Sequence, residues 1–172
     1  GSFVRMYYQK IFQAMAVTPI TLSEILWGEL LWDASKAAIS VAAISIIGVL
    51  VGDFNFWGAV AIVPPAFLCG MLFAAMGLLT AAKSRSIEDI SYPQFLLVFP
   101  MFLFCGVFFP IGMMPPALQV LAWVLPLTSV TDVIRAFTLG TPIHPQSPVI
   151  ILAWLALLVP ISRQAMVKRL VK

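Results

Sequence analysis

The chain has 172 residues, 62% hydrophobic and 10% charged, with a formal net charge of +3 and a mean hydropathy of +1.04; a soluble domain carries about a quarter charged residues. Its apolar residues come in runs too long for the one-sided helices of a globular core, which excludes an ordinary water-soluble fold. The ten Lys and Arg stand in small groups at the ends of those runs, as at a membrane surface, so no nucleic-acid partner is expected.

The first residue is Gly1 rather than Met, and no charged leader with a cleavage site follows it, so we expect residues to precede Gly1 in the natural protein. Residues 1–33 mix aromatics with charge and break at Thr18 and Pro19, after a short amphipathic helix. Thr21 and Glu24 then form a T-x-x-E capping box, starting a helix that continues into the first apolar run. From Thr21 to Gly52 it would be about 48 Å long, so its first turns, with Glu24, Glu29 and Asp33, lie at or below the membrane surface. Acidic residues there also suit the helix macrodipole.

Residues 34–172 form the expected transmembrane domain. Its first span is Ala34 to Gly52, interrupted only by Lys36, and the uncharged second span, Trp57 to Ala82, follows a tight turn. A polar stretch, Lys83 to Tyr92, leads to a third span, Pro93 to Gly112. The fourth is Pro148 to Val167, lengthened by its snorkelling basic tail. On this four-span layout nine of the ten Lys and Arg fall on one side and only Arg135 on the other. That asymmetry makes both ends and the Lys83–Tyr92 loop cytoplasmic.

Between the third and fourth spans, Pro115 to Gly140 is apolar but cut at Pro126. Each half is about 15 to 20 Å of helix, too short to cross, so a re-entrant or interfacial hairpin on the outer side is expected. Ser129 and Asp132 resemble a capping box, and Gly140 before Pro142 stops the helix. Asp132 and Arg135, at i and i+3, can form an ion pair, read either as an interfacial salt bridge or as part of a gate that touches substrate. The pairs Pro64–Pro65 and Pro100/Pro110 would bend the second and third spans, as packing kinks or as hinges. Small residues Ala34, Ala38 and Ala42, with Gly70 and Ala74, favour close helix contacts within the chain or between two copies.

Catalytic and metal-binding patterns are missing from the sequence: it has no phosphate-binding loop, nucleophile elbow or zinc motif. Cys69 and Cys105 sit in apolar runs as buried thiols, and His144 sits in a turn as an exposed loop residue. The spans carry almost no ionisable group, which argues against a proton relay and against a membrane-embedded enzyme. Phe99, Phe102, Phe104, Phe108 and Phe109 are expected to face lipid or core rather than stack on sugars.

The stretches AVTPITLSEILWGELLW and SIEDISYPQFLLVFPMFLFCGVFFPIGMMPPALQVLAWVLPLTSVTDVIRAFTLG resemble the type-2 ABC exporter permeases, especially the branch of the nodulation-factor export permease. The second is the more specific, with an acidic loop, a span ending in FFP, a PP turn, P-L-T and D-x-x-R before Gly. The resemblance implies an all-α integral membrane protein: four transmembrane helices here, a cytoplasmic coupling helix, an outer re-entrant hairpin, and two further spans ahead of Gly1. It implies a permease subunit, not an enzyme, exporting a lipid-linked saccharide, polysaccharide or drug-like amphiphile across the bacterial inner membrane. Its implied partners are the bilayer, a second permease copy and two copies of a cytoplasmic ATPase that holds the ATP and Mg, leaving no cofactor on this chain. Phe12, Thr18, Pro19 and Glu24 would meet the ATPase, and Pro126, Asp132 and Arg135 would form the outer hairpin. An ATP-independent carrier or channel is the competing class; its repeated halves are not visible here.

Overall fold

The computed structural model describes residues 21–52, 55–84 and 87–170, and the regular structure among them is all helical, with no strand. The helices are α1 (Leu22–Val51), α2 (Phe56–Ala61), α3 (Val63–Lys83), α4 (Ile87–Phe104), α5 (Pro116–Val124), α6 (Pro126–Leu139) and α7 (Gln146–Leu170), with one 3-10 turn at Ile111–Met113. Three stretches are long and apolar enough to cross a membrane: Ser23–Val51, Phe56–Lys83 and Gln146–Lys168. The α5–α6 pair, bent by 82°, is the fourth candidate. The described part of the expected coupling region begins at Thr21; Phe12, Thr18 and Pro19 lie outside the described residues.

Helix α1 starts and stops where its sequence dictates. Thr21 Oγ1 accepts from the Glu24 N–H, and Glu24 Oε2 takes the Thr21 N–H at 2.7 Å, so the box is closed in both directions. At the other end Gly52, at φ 89°, turns its N–H back onto Gly48 and Val49. The proline pair interrupts the second span as expected: Pro64 and Pro65 cannot donate to the Val60 and Ala61 carbonyls, and the helix breaks at Ile62, leaving the pair in the first turn of α3. Pro100 leaves α4 unbroken.

The third expected span is helical only as far as Phe104, not Gly112. Gly106 adopts φ +80°, and Pro110 cannot supply the N–H that a continuing helix would deliver to the Gly106 carbonyl. The apolar part of this helix, Phe95–Phe104, is thus only about 15 Å long.

Helix α3 is the central element, packed on α1 along one side and α7 along the other, and α6 lies on α7. Leu26, Leu30, Leu72, Ala75, Leu78, Val133, Leu155 and Met166 are buried where these helices meet. In lipid such contacts are held by close packing rather than by escape from water. The small-residue stripe works within the chain: a Cβ on Gly70 would stand 2.5 Å from Ala37 Cβ and 3.1 Å from Ala34 Cα. Gly58 likewise brings α2 against the Phe137 carbonyl of α6.

Gly70→Ala is therefore expected to destabilise the fold by about 1–3 kcal/mol through overpacking. Gly77 has open space around it, and Gly77→Ala is expected to raise stability by about 0.5–1 kcal/mol through helix propensity. Thermal unfolding of the detergent-solubilised variants checks both signs.

Candidate functional site: a clasped helical hairpin

Lipid offers no hydrogen bonds, so each break in a helix must find partners for the backbone groups it frees. Of the carbonyls that the α4 break frees, α6 meets two: the Thr131 hydroxyl, shared with the Thr128 carbonyl at 2.8 Å, lies 2.9 Å from the Cys105 carbonyl, and Arg135 Nη2 donates to the Gly106 carbonyl at 2.7 Å. The break between α5 and α6 falls at Leu125, since Pro126 lacks an N–H. The freed Val124 carbonyl accepts from Trp154 Nε1 of α7 at 3.0 Å.

Asp132 closes the arrangement. Its carboxylate accepts from the His144 N–H at 3.1 Å and from Ser147 Oγ at 2.6 Å, and lies 2.9 Å from His144 Nδ1. The His144 ring also rests 4.9 Å from the ring of Trp123 on α5. One carboxylate thus joins α6 to the 140–145 turn and to the first turn of α7, while its histidine partner leans on α5.

These bonds fix the direction of the hairpin. Asp132 is level with Ser147 at the start of α7, whereas the tip at Val124 is level with Trp154, about 10 Å further along that helix. The end of α4 is level with Thr131 and Arg135. The hairpin therefore enters and leaves at one end of the bundle, and Asp132 lies outside the spanning helices. Partial burial pushes its carboxyl pKa up, but the bonds from Ser147 and His144 outweigh it and hold it below the ordinary carboxylate value of 3.8.

Several sequence expectations change here. Asp132 and Arg135 do not pair with each other; each bonds residues distant in the chain, because the α4 and α7 ends offer better-placed partners. Ser129 is not the cap of α6, which begins at Pro126; it lies fully buried inside the helix, and its hydroxyl and that of Thr128 have no partner among the described residues. Gly140, at φ 68°, does end α6. His144 is exposed but belongs to the clasp, a role its turn position did not suggest. Thr131, Ser147, Trp154 and Gly106 were missed as well; for Gly106 the proline four residues on was the available signal. Both cysteines are buried and free, and no metal-holding group of His, Cys, Asp and Glu occurs among the described residues.

Glu24 stands at the opposite end of the molecule. Arg163 Nη2 donates to Ser23 Oγ at 2.7 Å, joining the last turns of α7 to the first turn of α1. From Ser147 to Arg163 is about 24 Å along α7, so among the described residues α7 joins the two candidate regions.

A multi-pass helical membrane protein with a clasped hairpin at one end and a capped helix start at the other is the class these features define. The family model for the ABC-2 type transporter matches residues 1–139, and the chain belongs to that family of membrane transport subunits. It is 32% identical over 143 residues to Nodulation protein J of Rhizobium meliloti (strain 1021), covering 83% of this chain and 55% of that protein. The same protein of Neorhizobium galegae is 32% identical, and that of Rhizobium leguminosarum bv. viciae 30%, with the same coverage. The chain spans a little over half the length of these relatives. No solved structure matches it.

Because Asp132 is held below 3.8 in the fold, its contribution is fully present above that value and is lost as pH falls through the lowered one. Asp132→Ala is expected to cost about 1.5–3 kcal/mol at neutral pH and to remove this acid-dependent loss. Thermal unfolding of both proteins from pH 7 down to pH 3 checks the magnitude and the sign.

Proposed function

We propose that this chain is the permease subunit of an ATP-driven exporter that carries an amphiphile, such as a lipid-linked saccharide or polysaccharide, out of the cytoplasm. The observation that carries the reading is the family match across residues 1–139, which includes both the front segment and the hairpin. In this reading α1, the α2–α3 stretch and α7 are three spans, and the short apolar helix of α4 completes a fourth together with the non-helical segment beyond its bend. Both ends lie in the cytoplasm with nine of the ten Lys and Arg, and the hairpin is the re-entrant outer element.

The front segment, with Phe12, Thr18, Pro19 and Glu24, meets one of two ATPase subunits, and a second permease copy completes the path. Closure of the ATPase pair on ATP moves the front segments, so that binding energy becomes rigid-body displacement. The capping box makes the start of α1 stiff, and the Arg163–Ser23 bond carries the movement to α7. At the far end α7 holds the hairpin through Ser147 and Trp154. A shift of α7 therefore strains the clasp and opens the exit.

Glu24 has two roles to separate, since its carboxylate also caps α1. Glu24→Gln keeps the capping box and removes the charge, whereas Glu24→Lys loses the box and reverses the charge. Affinity purification of the full subunit is expected to bring down an ATPase subunit, with recovery falling modestly in Glu24→Gln and at least several-fold in Glu24→Lys. A partner-free protein that still moves substrate in liposomes would make it an independent carrier.

A further inference from the structure

Among the described residues Arg135 has no carboxylate partner. The neighbouring carboxylate, Asp132, is committed to His144 and Ser147, and no other carboxylate among the described residues bonds Arg135. A guanidinium has five N–H donors; one is spent on the Gly106 carbonyl, which fixes the side chain over the α4 bend. The residue is exposed.

The bend that it braces is flanked by apolar, open side chains. Phe102 and Phe108 meet edge to face with ring centroids 5.1 Å apart, and both are about half exposed. Val107 and Phe109 beside them are also exposed, and α4 is bare on every side from Phe95 to Phe99. Arg135 lies nearly one turn beyond Asp132, itself level with the first turn of α7, which is the depth of phosphate headgroups at the end of a span.

A fixed cation at the rim of an aromatic, lipid-facing strip complements a ligand with an anionic head and a hydrocarbon tail. A soluble anion would leave the strip bare, and a neutral lipid would leave the charge bare. We infer that Arg135 and the α4 bend seat one anionic phospholipid of the outer leaflet, its phosphate on the free guanidinium N–H groups and its chains along Phe102, Phe108 and the outer half of α4. This rests on the outward orientation of the hairpin proposed above. The lipid bridges the bend and α6, steadying the closed hairpin.

The test is native mass spectrometry of the full chain released from bilayers holding equal amounts of phosphatidylglycerol and phosphatidylcholine. Wild type is expected to retain phosphatidylglycerol several-fold over phosphatidylcholine, and Arg135→Gln to retain one phosphatidylglycerol fewer. Thr131→Val, which removes the neighbouring bond to Cys105 but no charge, is expected to retain the wild-type number, and inorganic phosphate is not expected to displace the lipid. Equal retention of both lipids by wild type, or an unchanged number in Arg135→Gln, overturns the inference. Should Arg135→Gln fail to fold, Arg135→Lys keeps the charge without the planar fork and is expected to hold the lipid several-fold more weakly; unchanged retention there overturns it as well. Neither ATP nor an ATPase enters the measurement, so a negative result leaves the exporter reading intact, and a failure of ATPase co-purification leaves the lipid result intact.

Discussion

The absence of hydrogen-bonding solvent in a bilayer is the constraint on which this structure depends. A helix that breaks there exposes carbonyls worth several kcal/mol each unless the protein supplies donors. Three such carbonyls, at Cys105, Gly106 and Val124, are met by Thr131, Arg135 and Trp154. The breaks and their partners therefore form one unit: losing Trp154 would strand the Val124 carbonyl at the hairpin tip, and losing Thr131 or Arg135 would release the α4 bend from α6. The hairpin is held in position by the same bonds that make its irregular backbone tolerable.

The rest of the bundle supports that unit. Helix α3 can serve as a central post because Gly70 lets α1 approach to backbone contact, and α7 packs along its other side. Helix α7 in turn reaches from the clasp at Ser147 to Ser23 at the start of α1. This path gives the proposed export cycle a physical route between its two ends, through a packed element rather than through a chain of charged groups. The scarcity of ionisable residues within the spans fits a machine driven by displacement from outside the membrane.

Charge is used sparingly and in different ways on the two sides. In the proposed orientation the basic residues cluster where the positive-inside rule puts them; of the described ones, Lys36 pairs with Asp33 and Arg163 bonds Ser23. On the opposite side, two adjacent charges that looked like a pair are spent separately. Asp132 organises a turn, and Arg135 supports a bend and presents its remaining donors outward. Separation keeps the guanidinium available, which a local ion pair would have prevented.

The sequence by itself determined the elements governed by covalent neighbours. Composition and run length define the spanning stretches, Thr21 and Glu24 define the start of α1, and Pro126 and Gly140 define the hairpin's break and end, because caps and prolines act within about four residues of themselves. Pro110 stops α4 early by the same local rule. Tertiary structure alone decided the intrachain use of Gly70 and the partners of Asp132, Arg135 and Trp154. Thr131, Arg135 and Trp154 reach carbonyls 26, 29 and 30 residues away, where no helical or turn periodicity links donor to acceptor. Which long-range carbonyl a side chain meets follows from how the helices pack, and packing is set by the whole bundle at once.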